Sequence, residues 1–491
     1  MATGALGHAG ERERDLTHII KGDHLPIVLP HGHCHNGRMS TEWSAPPSPA
    51  DLLARGETAR KRTPRRALAT LAGGTRDPLG ILDAQNRTRI PELVPLRTER
   101  MSASPFAFYR GTAALMAADL ADAPHSGILV ASCGDAHVSN FGFYASPQRS
   151  LMFDLNDFDE AAWAPWEWDV KRLVSSIVVG GQSTGRADAV IDQAVLAAVD
   201  SYSRGLRRIT SLNPRDRYFT HFDVESTRGM LDKDSRRAIR TAIAQAQRRT
   251  GERAVRRLTA TDAAGRRRFS YQAPTTTPVD EQLLALVHGL VEQYRKTATP
   301  DVALLFEHYT VSDVARRVVG VGSVGTRCYL VLFQDGEDGT LLMQPKEAVQ
   351  SVLVEYGRIE QPPSLRERIQ AHGEGARVVA MQRILQALSD PFLGHLRSPT
   401  ADFYARQFHD MKGSVEVEAL DDGPFITYAQ ACAAVIARAH SQSVTAAEVA
   451  GYIGGGRAVA TALLEWARAY AAVSLADFEA FREANAESET A

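Results

Sequence analysis

The spacing of apolar positions changes along the chain, and the changes divide it into segments. Residues 1 to about 90 show the least periodicity. They carry Pro46-Pro47-Ser48-Pro49 and the basic run Arg60-Lys61-Arg62-Thr63-Pro64-Arg65-Arg66, and read as a partly flexible extension with a solvated basic surface. From Arg97 the texture tightens. Thr112 to Leu120 is Ala- and Met-rich at helical spacing. Gly127-Ile128-Leu129-Val130-Ala131 and Leu151-Met152-Phe153 are short apolar runs of strand type. A helix starts near Asp169, and helical spacing continues to about residue 300, with a basic face between Arg236 and Arg257 that suits a solvated helix. The period then shifts to a β-like block. Val314 to Val319 leads into a glycine-rich stretch. Cys328 to Phe333 is β-branched and aromatic, Asp335 to Gly339 forms a turn, and Thr340 to Gln344 runs back. A helix is predicted over Gly375–Ser389 and a strand over Asp402–His409. Tyr428–His440 and Ala458–Phe481 are helical, with Ala and Leu on one face.

Composition narrows the class. Of 491 residues, 44% are hydrophobic and 23% charged, as in globular proteins, and the net charge of -2 gives no polycation for nucleic acid. No apolar run approaches the length of a membrane span, and the first residues lack a charged segment followed by an apolar core. A cytoplasmic location, with neither membrane nor nucleic acid as partner, is the expectation. Cys34, Cys133, Cys328 and Cys432 are scattered without a CxxC and read as buried or idle thiols. His31, His33 and His35 around Cys34 have no second ligand cluster nearby and read as adventitious.

The chemistry concentrates in two acidic segments at strand ends, Cys133 to Asn140 and Phe153 to Asp159. Asp135 precedes Asn140 by five positions, and Asp157-Phe158-Asp159 begins seventeen residues after that Asn. This arrangement suits phosphoryl transfer. Asp135 would orient or deprotonate an attacking hydroxyl, and Asn140 and Asp157 would offer hard oxygen donors to Mg²⁺. Asp159 is a candidate second metal carboxylate. Asp154 stands either toward the metal or at a turn. His137 either touches phosphate or packs the loop. Asp169 is expected to anchor the loop backbone as structural support.

Gly320, Gly322 and Gly325, with Ser323 between them, match GxGxxG. A strand, not a helix, follows Gly325, so the context favours a lid between antiparallel strands over a dinucleotide turn. Lys346 lies twenty-one residues after Gly325, on or just past the returning strand, where an ammonium can reach nucleotide phosphates. Pro345 before it cannot donate to a ladder, so the strand should be bulged or at an edge there.

Gly134 to Asn140 and Asp157 to Asp159 resemble the catalytic and metal loops of the protein-kinase-like superfamily, especially its aminoglycoside- and choline-kinase branch. The span from about Leu93 to Phe481 also resembles the bacterial family termed domain of unknown function 2252. The cues are Met101 to Gly111, Val318 to Arg327, and Arg406 to Ser414. The kinase resemblance implies an α+β, two-lobed fold, an ATP- and Mg-dependent phosphotransferase, and a small-molecule or protein acceptor. The motif order is reversed, which implies a circular permutation. Residues 1–92 are then an extension, 93–311 the large catalytic and helical region, 312–424 a small β-rich nucleotide-binding lobe, and 425–491 helices that complete the large lobe. The resemblance also calls for a helix glutamate opposite Lys346. Glu374 is the assignment, with Glu355 and Glu347 as alternatives. Two other readings stand beside this one. One is a metal-dependent hydrolase using Asp135, His137, Asp154 and Asp157. The other is a non-catalytic nucleotide-binding, pseudokinase module.

Overall fold

Local caps and small residues organise the chain soon after Pro47. Ser48 and Asp51 form a reciprocal capping box at the start of helix Pro49–Arg62. A Cβ on Gly56 would lie 1.9 Å from the Glu448 carbonyl, so glycine lets this helix settle onto helix Ala446–Ile453. Helix Pro78–Arg87 follows. Residues 49–87 are therefore largely helical within the extension that the sequence reading took as partly flexible. The computed structural model describes residues 45–222, 232–318, 320–408 and 411–490. By its contacts the chain divides into two units, Met1–Pro47 and Ser48–Ala491. His31, His33, Cys34, His35, Val319, His409 and Asp410 lie outside the described residues.

Helices Trp166–Ser183, Asp188–Thr210, Asp422–His440 and Arg457–Thr490 enclose the largest core, with Trp166, Ile177, Tyr202, Ile436 and Trp466 at its centre. Helix Trp166–Ser183 is buried along almost its whole length, and its polar residues Glu167, Asp169, Lys171 and Arg172 are buried with the apolar ones. Strand β1 (Leu129–Ser132) enters this region. Strands β2 (Phe141–Ala145) and β3 (Leu151–Leu155) form a hairpin, and β4 (Ala162–Pro165) returns antiparallel to β1. The two acidic loops thus connect β1 to β2 and β3 to β4.

The helical run predicted up to residue 300 is interrupted. Helices Lys233–Arg248 and Gly251–Leu258 give way to β5 (Thr259–Thr261), β6 (Arg267–Phe269) and β7 (Thr276–Pro278) before helix Glu281–Thr297. Strands β8 (Thr310–Arg317), β9 (Tyr329–Gln334) and β10 (Thr340–Ala348) form an antiparallel meander. Helices Val352–Glu355, Pro363–His372 and Glu374–Leu385 come next, then β11 (Gly394–Arg397) and β12 (Asp402–Gln407). The six-stranded sheet has the order β11-β12-β10-β9-β8-β7, and β13 (Gly413–Ser414) joins the β2–β3 hairpin. Side chains alternate across this sheet. Val314, Val331 and Phe333 meet helix Glu281–Thr297, whereas Ala315, Leu330 and Leu332 meet helix Gly251–Leu258 and Phe269.

Pro345 sits in the interior of β10, paired in register with Ala405. On the β9 side the ladder stops at Met343↔Val331 and touches again only at the bridge Cys328↔Lys346. The missing N–H therefore falls beside an interrupted ladder, as the proline implied. The fold is mixed α+β. Among the described residues, no helix is long and apolar enough to cross a membrane.

Candidate active site

The loop after β1 is held from behind. The Asp169 carboxylate accepts from Cys133 N at 2.6 Å and Gly134 N at 2.9 Å, and His440 Nε2 lies 3.2 Å from it. The Tyr202 hydroxyl lies 2.8 Å from the other ring nitrogen of His440, within hydrogen-bond distance. Asp169 thus anchors the loop backbone, in keeping with its sequence reading. Gly134 has φ +82°, and a Cβ there would strike the Glu160 carbonyl at 2.3 Å, so only glycine fits. Further along, Val138 N donates to Ser176 Oγ at 3.0 Å and the Tyr428 hydroxyl donates to Val138 O at 2.8 Å.

These anchors present Asp135. Its Oδ1 accepts from Arg172 Nε at 2.7 Å, and its Oδ2 lies 3.7 Å from His137 Nε2. Burial pushes the Asp135 carboxyl up, against the pull of Arg172. Burial, then Arg172 and Arg110, hold His137 well below its usual range, so the ring is neutral. Its Nδ1 accepts from Ser139 N at 3.2 Å, which gives His137 a packing role in the loop. Asn140 donates through Nδ2 to the Asp135 carbonyl at 2.7 Å, which leaves its side-chain oxygen with no donor among the described residues. The Asn140 carbonyl accepts from Asn156 N at 2.9 Å and ties the two acidic loops together.

The second loop meets Lys346. This lysine is 3% exposed and bonds Asp159 Oδ2 directly, with Asp157 Oδ2 3.8 Å away. Tyr404, opposite Lys346 in the β10–β12 register, donates to the other Asp159 oxygen at 2.7 Å. Burial opposes the ammonium charge, yet Asp157 and Asp159 hold it well above its usual range. Burial and then the Asp157 charge push the Asp159 carboxyl up. Burial works against Asp157 as well, but Lys346, Arg406 and Lys412 overcome it and keep that carboxyl below the ordinary range. Asp157 is the most open of the three aspartates, with 34% of its side chain exposed against 24% for Asp159 and 20% for Asp135.

Glu374 is elsewhere. Its carboxylate binds Arg377 Nε at 2.5 Å, and Arg377 donates to Ala161 O at 2.7 Å, Val349 O at 2.8 Å and Asp159 O at 2.9 Å. The assignment of Glu374 as counter-ion to Lys346 is corrected: Asp159 takes that position, and Glu374 braces the arginine that holds the acidic loop. The alternative Glu347 is bound to Arg327 at 2.7 Å. Asp159 is accordingly engaged by Lys346 and Tyr404. Asp154 is buried, accepts from Ala387 N at 2.9 Å, and serves the fold.

The glycine stretch is docked, not free. Gly320 and Gly325 adopt φ +70° and +90°. Ile90 N donates to Gly325 O at 2.8 Å, Arg100 Nη1 to Gly320 O at 2.6 Å, and Arg89 to Val324 O. A Cβ on Gly322 would approach the Arg110 carbonyl to 3.3 Å, and Val324 packs on Leu93. Ser323 accepts through its carbonyl from Thr326 Oγ1 at 2.8 Å. The loop's exit bridges to Lys346 through Cys328.

Several site residues escaped the sequence reading. Arg172 lies three positions after Asp169 on one helix face, a spacing that could have revealed it. Tyr404 and Arg406 share a face of β12 with alternate spacing. Glu160 accepts from Val352 N at 2.8 Å, and burial pushes its carboxyl up to about 7. Lys412 is pushed down to about 7, first by Arg406 and then by burial.

Asp157 and the Asn140 side-chain oxygen are hard donors of the kind a magnesium ion takes, and Lys346 and Arg406 put positive charge beside Asp157. Among the described residues, no group of three or more His, Cys, Asp or Glu gathers as a ligand set. No curated protein and no solved structure matches the chain. Residues 89–484 match the family model described as uncharacterized protein conserved in bacteria, domain of unknown function 2252, and the chain belongs to that family.

Proposed function

We propose that the protein is an ATP- and Mg-dependent phosphotransferase with a circularly permuted, kinase-like arrangement, acting on a hydroxyl acceptor. The observation that carries this reading is the contact of Lys346 with Asp159 and Asp157. Residues almost two hundred positions apart meet in this contact, which supports a shared site. The surrounding architecture supports it. A glycine loop links the first two strands of a meander, and Lys346 stands on the third.

In this reading the acceptor hydroxyl attacks the γ-phosphorus of ATP, the bond to the β-phosphate oxygen breaks, ADP leaves, and the hydroxyl proton passes to Asp135. Arg172 fixes the orientation of Asp135, and Asp169 fixes the backbone behind it. Lys346 neutralises the phosphates. Bound magnesium, held by Asp157 and Asn140, would supply charge neutralisation. The hydrolase reading draws no support from Asp154, which is buried and bonded to Ala387 N.

A thermal-shift titration with ATP, with and without Mg²⁺, tests the proposal on wild type and Asp157→Ala. Wild type should gain stability only with both present, and Asp157→Ala should not. A folded wild type without a Mg-ATP shift would overturn it.

A further inference from the structure

The glycine loop is held by one short stretch of chain that lies far from it in sequence. Helix Pro78–Arg87 ends at Thr88, a 3-10 turn covers Pro91–Leu93, and helix Val94–Ser102 follows. Arg97 braces this corner. It is 1% exposed and donates to Asn86 Oδ1 at 2.7 Å and Gln85 Oε1 at 3.2 Å. The corner then takes up three carbonyls of the loop. Arg89 donates to Val324 O, Ile90 N to Gly325 O at 2.8 Å, and Arg100 Nη1 to Gly320 O at 2.6 Å. Between these bonds Val324 is buried against Leu93, and Val321 packs on the cluster that contains Leu82, Met101 and Phe108. Gly325 permits the approach, since a Cβ there would come within 2.9 Å of the Arg89 Cβ.

In a trans peptide the C=O and the following N–H point opposite ways. The Gly320 and Val324 carbonyls are turned to the corner, so the amides of Val321 and Gly325 are turned away from it, and neither donates to another described residue. Gly320 and Gly325 have φ +70° and +90°, a region that glycine enters at little cost. The loop thus has a hinge at each end, and the corner keeps it from pivoting. We propose that residues 89–100 form a clasp that sets the position of the glycine loop for nucleotide, with Arg89 and Arg100 as positioning residues that act through the loop. The identity of the ligand rests on the phosphotransferase reading, whereas the clasp rests on these contacts alone. Arg100 reaches the loop through one nitrogen and one bond, so a lysine can take its place there.

Hydrogen exchange of the full chain without nucleotide, read by mass spectrometry, tests the clasp, and calorimetric titration with Mg-ATP tests its role. In Arg89→Gln/Arg100→Gln the amides of residues 320–326 should exchange about tenfold faster than in wild type, while β9 and β10 keep wild-type exchange. The same variant should bind Mg-ATP about tenfold more weakly. Arg100→Gln alone should show about threefold effects of both kinds, and Arg100→Lys should restore both. Where the double variant fails to fold, Arg100→Gln decides, because Arg100 bonds the carbonyl of an exposed residue. Unaltered exchange at 320–326 in a folded variant, or faster exchange spread through β9 and β10, would overturn the clasp. Unchanged or tighter Mg-ATP binding would overturn its positioning role. A wild type that ignores Mg-ATP would refute the nucleotide reading, and exchange measured without nucleotide then decides the clasp by itself.

Discussion

The loop carrying Asp135 and the loop carrying Asp157 are fastened by different parts of the chain. The first is held by the helical core: Asp169 and Ser176 from one helix, Tyr428 and His440 from another. The second is held from the sheet region: Lys346 from β10, Tyr404 from β12, Arg377 from helix Glu374–Leu385, and Ser351 and Val352 on Glu160. The Asp135 loop is therefore built into the largest core. The arrangement around Asp157 exists only when residues beyond 340 fold back onto residues 157 to 160. Damage to the first loop should be felt by the whole fold. Damage to the second should be felt more by ligand binding.

Asp169→Ala should break this comparison most severely. It strips two backbone donors and His440 of a buried acceptor, and the expected loss is about 4 kcal/mol in urea unfolding. Arg377→Met should come next, at about 2 to 3 kcal/mol. It removes the donor to three carbonyls and leaves Glu374 uncompensated. The difference between the loops predicts a further contrast: Arg377→Met should weaken Mg-ATP binding, because the loop carrying Asp157 and Asp159 loses its brace.

The smallest effect concerns Glu160. Its folded carboxyl titrates near 7, above the unfolded value of about 4.5. A raised carboxyl favours the folded state while protonated, so that stabilisation is full below about 4.5 and is lost as pH rises through 7. Urea titrations from pH 4.5 to 7.5 should show stability falling by on the order of 2 kcal/mol from this group, and Glu160→Gln should flatten the slope. A slope unchanged in Glu160→Gln would assign the effect to another group.

The contrast also explains what was legible in the sequence. Asp135, Asn140 and Asp157 are carried by short spacings within one stretch of chain, and those spacings survive any topology. Lys346 was legible because its distance from Gly325 is fixed by one strand, one turn and one returning strand. Its counter-ion was not. Which carboxylate meets a buried lysine depends on the fold between residues 159 and 346, and Asp159, not Glu374, reaches it while Glu374 pairs with Arg377. Arg406 and Lys412 act on Asp157 from about 250 residues away in sequence, and no short spacing links them to it. The short strands between Thr259 and Pro278 were hidden by the basic helices before them, although Thr275-Thr276-Thr277 is a β-branched run that could have signalled them.

The central claim is that Lys346 and Asp157 act as one nucleotide-binding unit, and a double-mutant cycle on Mg-ATP affinity tests it most directly. Calorimetric titration of wild type, Lys346→Met, Asp157→Asn and the double variant should give losses of at least tenfold for each single change. The double loss should fall well short of their product, because the two residues share one ligand and one another. Unchanged Mg-ATP affinity in both single variants, or fully multiplicative losses, would contradict the account.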